Sequence, residues 1–98
     1  MSDKYILDGH EAVPEPYLMK WGAWLQSADR VVKKTKLPDC EISTVFLGLD
    51  HGYDPSKPPL IFETMVFGGK FDQEMERYST WDEALSGHQT MIEKVKSA

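Results

Sequence analysis

The chain has 98 residues, of which 41% are hydrophobic and 11% aromatic, with a formal net charge of −5. This length holds one domain over residues 1–98, with a core that needs no metal or disulfide, and the single cysteine, Cys40, excludes an internal disulfide framework. Residues 1–40 carry six acids and six bases, and residues 41–98 carry ten and five, so the acidic excess disfavours nonspecific nucleic-acid binding.

In chain order, Lys4-Tyr5-Ile6-Leu7 reads as a short strand ended by the turn chemistry of Asp8-Gly9. Val13-Pro14-Glu15-Pro16 starts a helix, and Leu18, Trp21, Leu25 and Ala28 give it an apolar stripe, widened by Trp24. Gly22 inside that stripe implies a close backbone contact with the sheet or with a second chain. Arg30 to Leu37 reads as an edge strand whose lysines block edge-to-edge pairing, the alternative being an anion or acidic-partner site.

The segment from Ser43 to His88 fixes the fold class best. Ser43 to Leu49 and Leu60 to Phe67 are strands with apolar residues on both faces. A long Pro/Gly loop from Asp50 to Pro59 joins them, and long loops in compact domains are often functional. Gly68-Gly69 turns the chain into a last short strand, Glu74 to Tyr78. Thr80 and Glu83 then form a capping box, followed by the stripe Trp81, Ala84, Leu85, His88, Met91, Ile92 and Val95, with Lys94 and Lys96 suiting the helix dipole. The expected fold is α+β: a mostly antiparallel sheet of four to five strands with two amphipathic helices packed on one face. The apolar residues of the other face then need a cover, and a homodimer is the economical one.

Five chemistries are weighed against blander readings. Asp8-Gly9-His10, Asp50-His51 and Asp54 carry ligand types suited to zinc, but at no recognised spacing, and turn formation explains them. Cys40 lies between Asp39 and Glu41, which disfavours a thiolate, so it reads as a small residue at a strand edge. Glu74 and Glu76 share a strand face, with Lys70 and Arg77 nearby, and read as a solvated charged face. Gly68-Gly69-Lys70 lacks the flanks of a phosphate loop and reads as a tight turn. Among the aromatics, Trp21 is expected in the core, and Tyr53, between Gly52 and Asp54, is the one most expected to be exposed. His88 reads as a packed residue rather than a ligand. No cofactor is implied.

Three segments taken together, Ser43 to His51, Phe62 to Gly69 and Tyr78 to Ala84, resemble a group of small proteins encoded by tailed bacteriophages and prophages. The resemblance extends weakly to Tyr5 to His10 and to the Trp21/Trp24 helix. It brings no assigned activity, and implies a phage accessory protein acting in the host bacterial cytoplasm. The absence of a signal-like apolar stretch and the cysteine usage agree with that setting. The function expected is binding rather than catalysis: a protein that inhibits or sequesters a host protein, or a small nucleotide signal held in a dimer pocket. For a protein target, the expected binding residues are Tyr53 and Trp24; for a nucleotide, Arg77, Lys70 and His51 would meet phosphate. The alternatives are a small metal-dependent hydrolase using His10, Asp50 and His51, or a structural or scaffold phage protein.

Overall fold

The computed structural model describes residues 3–97 as an α+β fold with six strands and two helices. Strands β1 (Tyr5–Asp8) and β2 (Glu11–Pro14) form an antiparallel hairpin of their own. Its turn is Gly9-His10, with Gly9 at φ 64°, the left-handed region a two-residue hairpin turn requires. The chain from Val13 to Pro16 therefore does not open the first helix. Pro14 lies opposite Tyr5 at the end of β2, where its missing N–H costs least. Helix α1 (Leu18–Ser27) follows, without a side-chain cap at Tyr17. The hairpin joins the main sheet through a bridge between Lys4 and Leu49 and through the Tyr5 N–H, which donates to the Gly48 carbonyl at 2.8 Å.

The main sheet has the antiparallel order β3-β4-β5-β6, formed by β3 (Val31–Lys36), β4 (Glu41–Phe46), β5 (Phe62–Phe67) and β6 (Met75–Tyr78). The lysine-bearing β3 is an edge strand, as its composition indicates, and a register shift between Val31 and Lys33 further irregularises that edge. Helix α2 (Trp81–Lys96) carries the full capping box, with the Thr80 hydroxyl accepting from the Glu83 N–H and the Glu83 carboxylate accepting from the Thr80 N–H. It contacts all four strands of the sheet. By contrast, α1 reaches the same face only at one end, where Trp24 meets Phe46 edge-on with ring centroids 5.7 Å apart. A Cβ on Gly22 would meet nothing within 4 Å, so that glycine makes no close contact with the sheet.

Alternation along the strands decides the core. Ile42, Thr44 and Phe46 of β4 and Phe62, Thr64 and Val66 of β5 are all buried under α2. They form two apolar clusters. One gathers Cys40, Ile42, Val66, Met91 and Ile92; the other gathers Phe46, Ile61, Phe62 and Ala84, with Trp24, Trp81 and the β1–β2 hairpin against it. Between the clusters runs a polar seam. Thr35 Oγ1 lies 2.9 Å from His88 Nε2, Thr44 Oγ1 lies 2.7 Å from His88 Nδ1, and Thr44 and Thr64 share a 2.5 Å hydrogen bond. Three strands and the helix each give one side chain to it. All four side chains of this seam are hydrogen-bonded, as most buried polar groups are, whereas the buried Tyr78 hydroxyl has no hydrogen-bond partner among the described residues.

Tyr78 of β6 packs against the backbone of α2 at Gly87, where a Cβ would overlap its phenol ring. This close approach explains a glycine in mid-helix. Gly87→Ala is expected to destabilise the fold by about 1–3 kcal/mol through overpacking. That loss outweighs the gain of about 1 kcal/mol from alanine's better helix propensity. Thermal unfolding followed by circular dichroism checks it; a variant more stable than the parent would mean that the ring swings aside freely.

Candidate functional site

Helix α2 covers one face of the sheet and leaves the other open. Register places Val31, Lys34 and Lys36 of β3, Glu41, Ser43 and Val45 of β4, Glu63, Met65 and Phe67 of β5, and Met75 and Arg77 of β6 on that open face. Phe67 is 49% exposed, Val31 44% and Met75 40%. The charges beside them are largely spent on one another. Arg77 Nε donates to Glu63 Oε2 at 3.0 Å, and Lys34 Nζ lies 3.8 Å from Glu41 Oε1. The face is thus a row of flexible and branched apolar side chains flanked by neutralised ion pairs. Charge depletion at the centre with a polar surround is the composition of an interface core.

The residues singled out from sequence fall at several places. Tyr53 is 98% exposed at the tip of the loop after β4, beside a hollow of about 500 Å³ lined by Asp54, Lys57, Pro58 and Leu60. The loop is held shut by Asp50, whose Oδ1 accepts from the N–H groups of Gly52 at 2.8 Å and Leu60 at 2.9 Å. His51 spends Nδ1 on the Leu49 carbonyl at 2.8 Å. Trp24 is half-buried against Phe46 rather than free on the surface, and Trp21 Nε1 donates to the Gly48 carbonyl at 2.9 Å. Arg77 is held by Glu63 on the open face. Lys70 sits in the turn after β5, over the Phe71 ring. His51 and Lys70 therefore lie at opposite ends of β5, with Arg77 engaged between them, and the three do not converge on one phosphate.

The metal candidates do not meet either. The His10 ring stacks on Trp81 with centroids 3.8 Å apart and planes 4° from parallel. Among the described residues, no group of three His, Cys, Asp or Glu side chains is placed to hold a metal ion. The Cys40 thiol has its pKa raised by burial and by the neighbouring Asp39 carboxylate, which keeps it in the poorly nucleophilic form. The Gly68-Gly69 turn has both glycines at positive φ, with the Gly68 N–H donating to Asp72 Oδ1 at 2.6 Å. Glu74 pairs with Lys94 of α2.

Two further surfaces stand out in the structure. Tyr17, Leu18 and Met19 at the start of α1 are exposed, Met19 by 84%. A groove of about 550 Å³ runs between β6 and α2. Helical periodicity marks which α2 residues share a side, but only the strand order shows that this side faces a free sheet edge.

No protein-family model, no curated protein and no solved structure matches this chain. No helix among the described residues is long and apolar enough to cross a membrane.

Proposed function

We propose that this chain is a binding protein that docks a protein partner on the open face of its four-stranded sheet. The observation that carries this reading is the row Val31, Val45, Met65, Phe67 and Met75, left uncovered by either helix and bordered by ion pairs already closed within the chain. Burying the central row removes apolar area from water while Arg77 and Glu63 keep each other, and Lys36, without an ion pair among the described residues, lies out on the β3 edge. A protein partner is favoured over a nucleotide because Arg77, Lys70 and His51 stand apart. The resemblance to phage accessory proteins supports a bacterial host protein, inhibited or sequestered in the host cytoplasm, as the target.

The test is affinity capture from a bacterial lysate with three baits: the parent, Met65→Glu, and Tyr53→Ala. Met65 lies at the centre of the open face, and a charge there is expected to weaken capture of the partner by at least about tenfold, the effect of disrupting one hot spot. Tyr53→Ala is expected to retain it. Sedimentation velocity on the purified chain shows whether a second copy occupies the face instead, in which case Met65→Glu dissociates the dimer. Equal capture by all three baits, with a monomeric parent, would exclude the open face as the docking surface.

A further inference from the structure

The geometry points to a second docking surface, separate from the open face: the groove between the free edge of β6 and α2, which receives an extended basic peptide segment as a fifth strand of the sheet. Four observations build it.

First, β6 is the last strand of the sheet and pairs only with β5. Its outer edge offers unpaired backbone N–H and C=O groups, a template for another strand. The opposite edge, β3, is guarded by Lys33, Lys34 and Lys36 and by its register shift. No such shift interrupts the pairing of β6.

Second, α2 runs along the strand direction over the sheet, so one of its sides follows the β6 edge from end to end. Trp81 and Ala84 lie by Phe62 and Tyr78, and Met91, Ile92 and Val95 lie by Val66 and Phe71. Lys94 reaches Glu74, just before β6.

Third, the wall contributed by the helix is continuous. Glu83, Ser86, Gly87, Thr90, Met91 and Lys94 line the groove, spaced three and four apart along one side of the helix. From Glu83 to Lys94 the helix rises about 16 Å, the length of a strand of about five residues. The missing Cβ at Gly87 lets Tyr78 lie against the helix backbone, so the floor is an aromatic ring.

Fourth, the groove is acidic. Glu76 is exposed, and while its backbone pairs with Thr64, its carboxylate enters no hydrogen bond or ion pair among the described residues. Glu83 stands on the opposite wall, its Oε1 held by the capping box but its charge unpaired by any cation among the described residues, and the cation at the far end, Lys94, is taken by Glu74. Two carboxylates flank a strand-length slot, and the complement is an extended segment whose alternate side chains are basic. Main-chain pairing supplies affinity in such an arrangement, and the flanking side chains supply selectivity.

The probe is a dye-labelled, end-blocked peptide alternating lysine and valine, compared with its glutamate–valine counterpart and with a lysine–valine peptide N-methylated on alternate backbone nitrogens. Fluorescence polarisation reads affinity, and amide chemical shifts of the isotope-labelled protein locate the site. The lysine peptide is expected to bind with a Kd below about 1 mM, with the largest shifts at Met75, Arg77, Ser86 and Thr90. The glutamate and N-methylated peptides bind at least about tenfold more weakly. Glu76→Lys and, separately, Thr90→Arg are expected to weaken the lysine peptide at least as much while keeping the parent's circular dichroism. Met65→Glu on the open face leaves it unchanged. Equal binding of both charge types, shifts confined to other surfaces, loss on Met65→Glu, or no binding up to about 1 mM would each overturn the proposal. None of these results would bear on capture by the open face.

Discussion

Phe46→Ala is expected to lower the unfolding free energy by about 3–5 kcal/mol, the cost of truncating a fully buried phenylalanine. Phe46 joins the two parts of the molecule. Its ring meets Phe62 at 5.1 Å within the sheet and Trp24 of α1 at 5.7 Å, and it belongs to the cluster against which Tyr5, Leu7 and Ala12 of the hairpin pack. Further tethers of the N-terminal unit are the Lys4–Leu49 bridge, the hydrogen bonds onto Gly48 from Tyr5 and Trp21, the Asp50 N–H donating to the Asp3 carbonyl, and the His10–Trp81 stack. Since small domains are stable by only about 5–15 kcal/mol, the loss removes a large share of the total. Urea unfolding followed by tryptophan fluorescence measures it. A cost near that of a surface change, below about 0.5 kcal/mol, would show that the ring does not bind the two parts together.

The second large effect is expected from His88. Its pKa is lowered, first by burial and then by the charge of Lys33 on the neighbouring edge strand. A protonated ring can keep both threonine partners, because a hydroxyl accepts as well as donates: the one that gives its proton to the neutral ring turns that proton away and accepts from the second N–H instead. What it loses is solvation. With the folded pKa below the unfolded value of 6.5, the unfolded chain binds the proton more readily. Stability from this group is therefore complete above about pH 6.5 and declines as pH falls toward the folded pKa. Denaturant midpoints at a series of pH values between neutrality and mild acid check the decline. His88→Gln keeps a polar side chain in the seam without a titrating group, and is expected to remove this component while leaving the carboxylate-driven losses at lower pH. An unchanged slope in that variant would assign the dependence to other groups.

The fold was legible wherever local chemistry and periodicity agreed. The capping box at Thr80 and Glu83, the α2 stripe and the two-faced strands are written in spacings of two to four residues, and the structure follows them except that Leu85 of the stripe is exposed and that β4 spans Glu41–Phe46, ending before Leu47 and Leu49. Only the first half of the hairpin was legible: Tyr5 to Leu7 and the Asp8-Gly9 turn announce its first strand, but Glu11 to Pro14 offers only two central apolar residues and a proline that reads equally well as a helix start. The seam was half legible. His88 showed itself as a packed residue on an apolar stripe, but Thr35, Thr44 and Thr64 lie 9 to 53 residues from one another and from it, and nothing local announces that they meet. The docking surfaces follow the same division. The two apolar strand faces were visible in the alternation of Val45, Met65 and Phe67, and the exposure of Tyr53 in its loop between Gly52 and Asp54, whereas the choice of Trp24 as a recognition residue rested on residue type. Trp24 proved to serve the core, and the β6–α2 groove depends on strand order, which one sequence does not display.

An entirely greasy contact between α2 and the sheet would look much the same after the helix slid along its axis by one turn, about 5.4 Å. Here such a slide would press the His88 imidazole into either the Ile42–Val66 or the Phe46–Phe62 layer, strip the ring of both its threonine partners, take Thr35's partner away, and leave Thr44 only its bond to Thr64. Each stranded group would cost about 1–3 kcal/mol. The layered oil–polar–oil arrangement therefore acts as a detent that sets a single helix position, and with it the width of the slot beside β6.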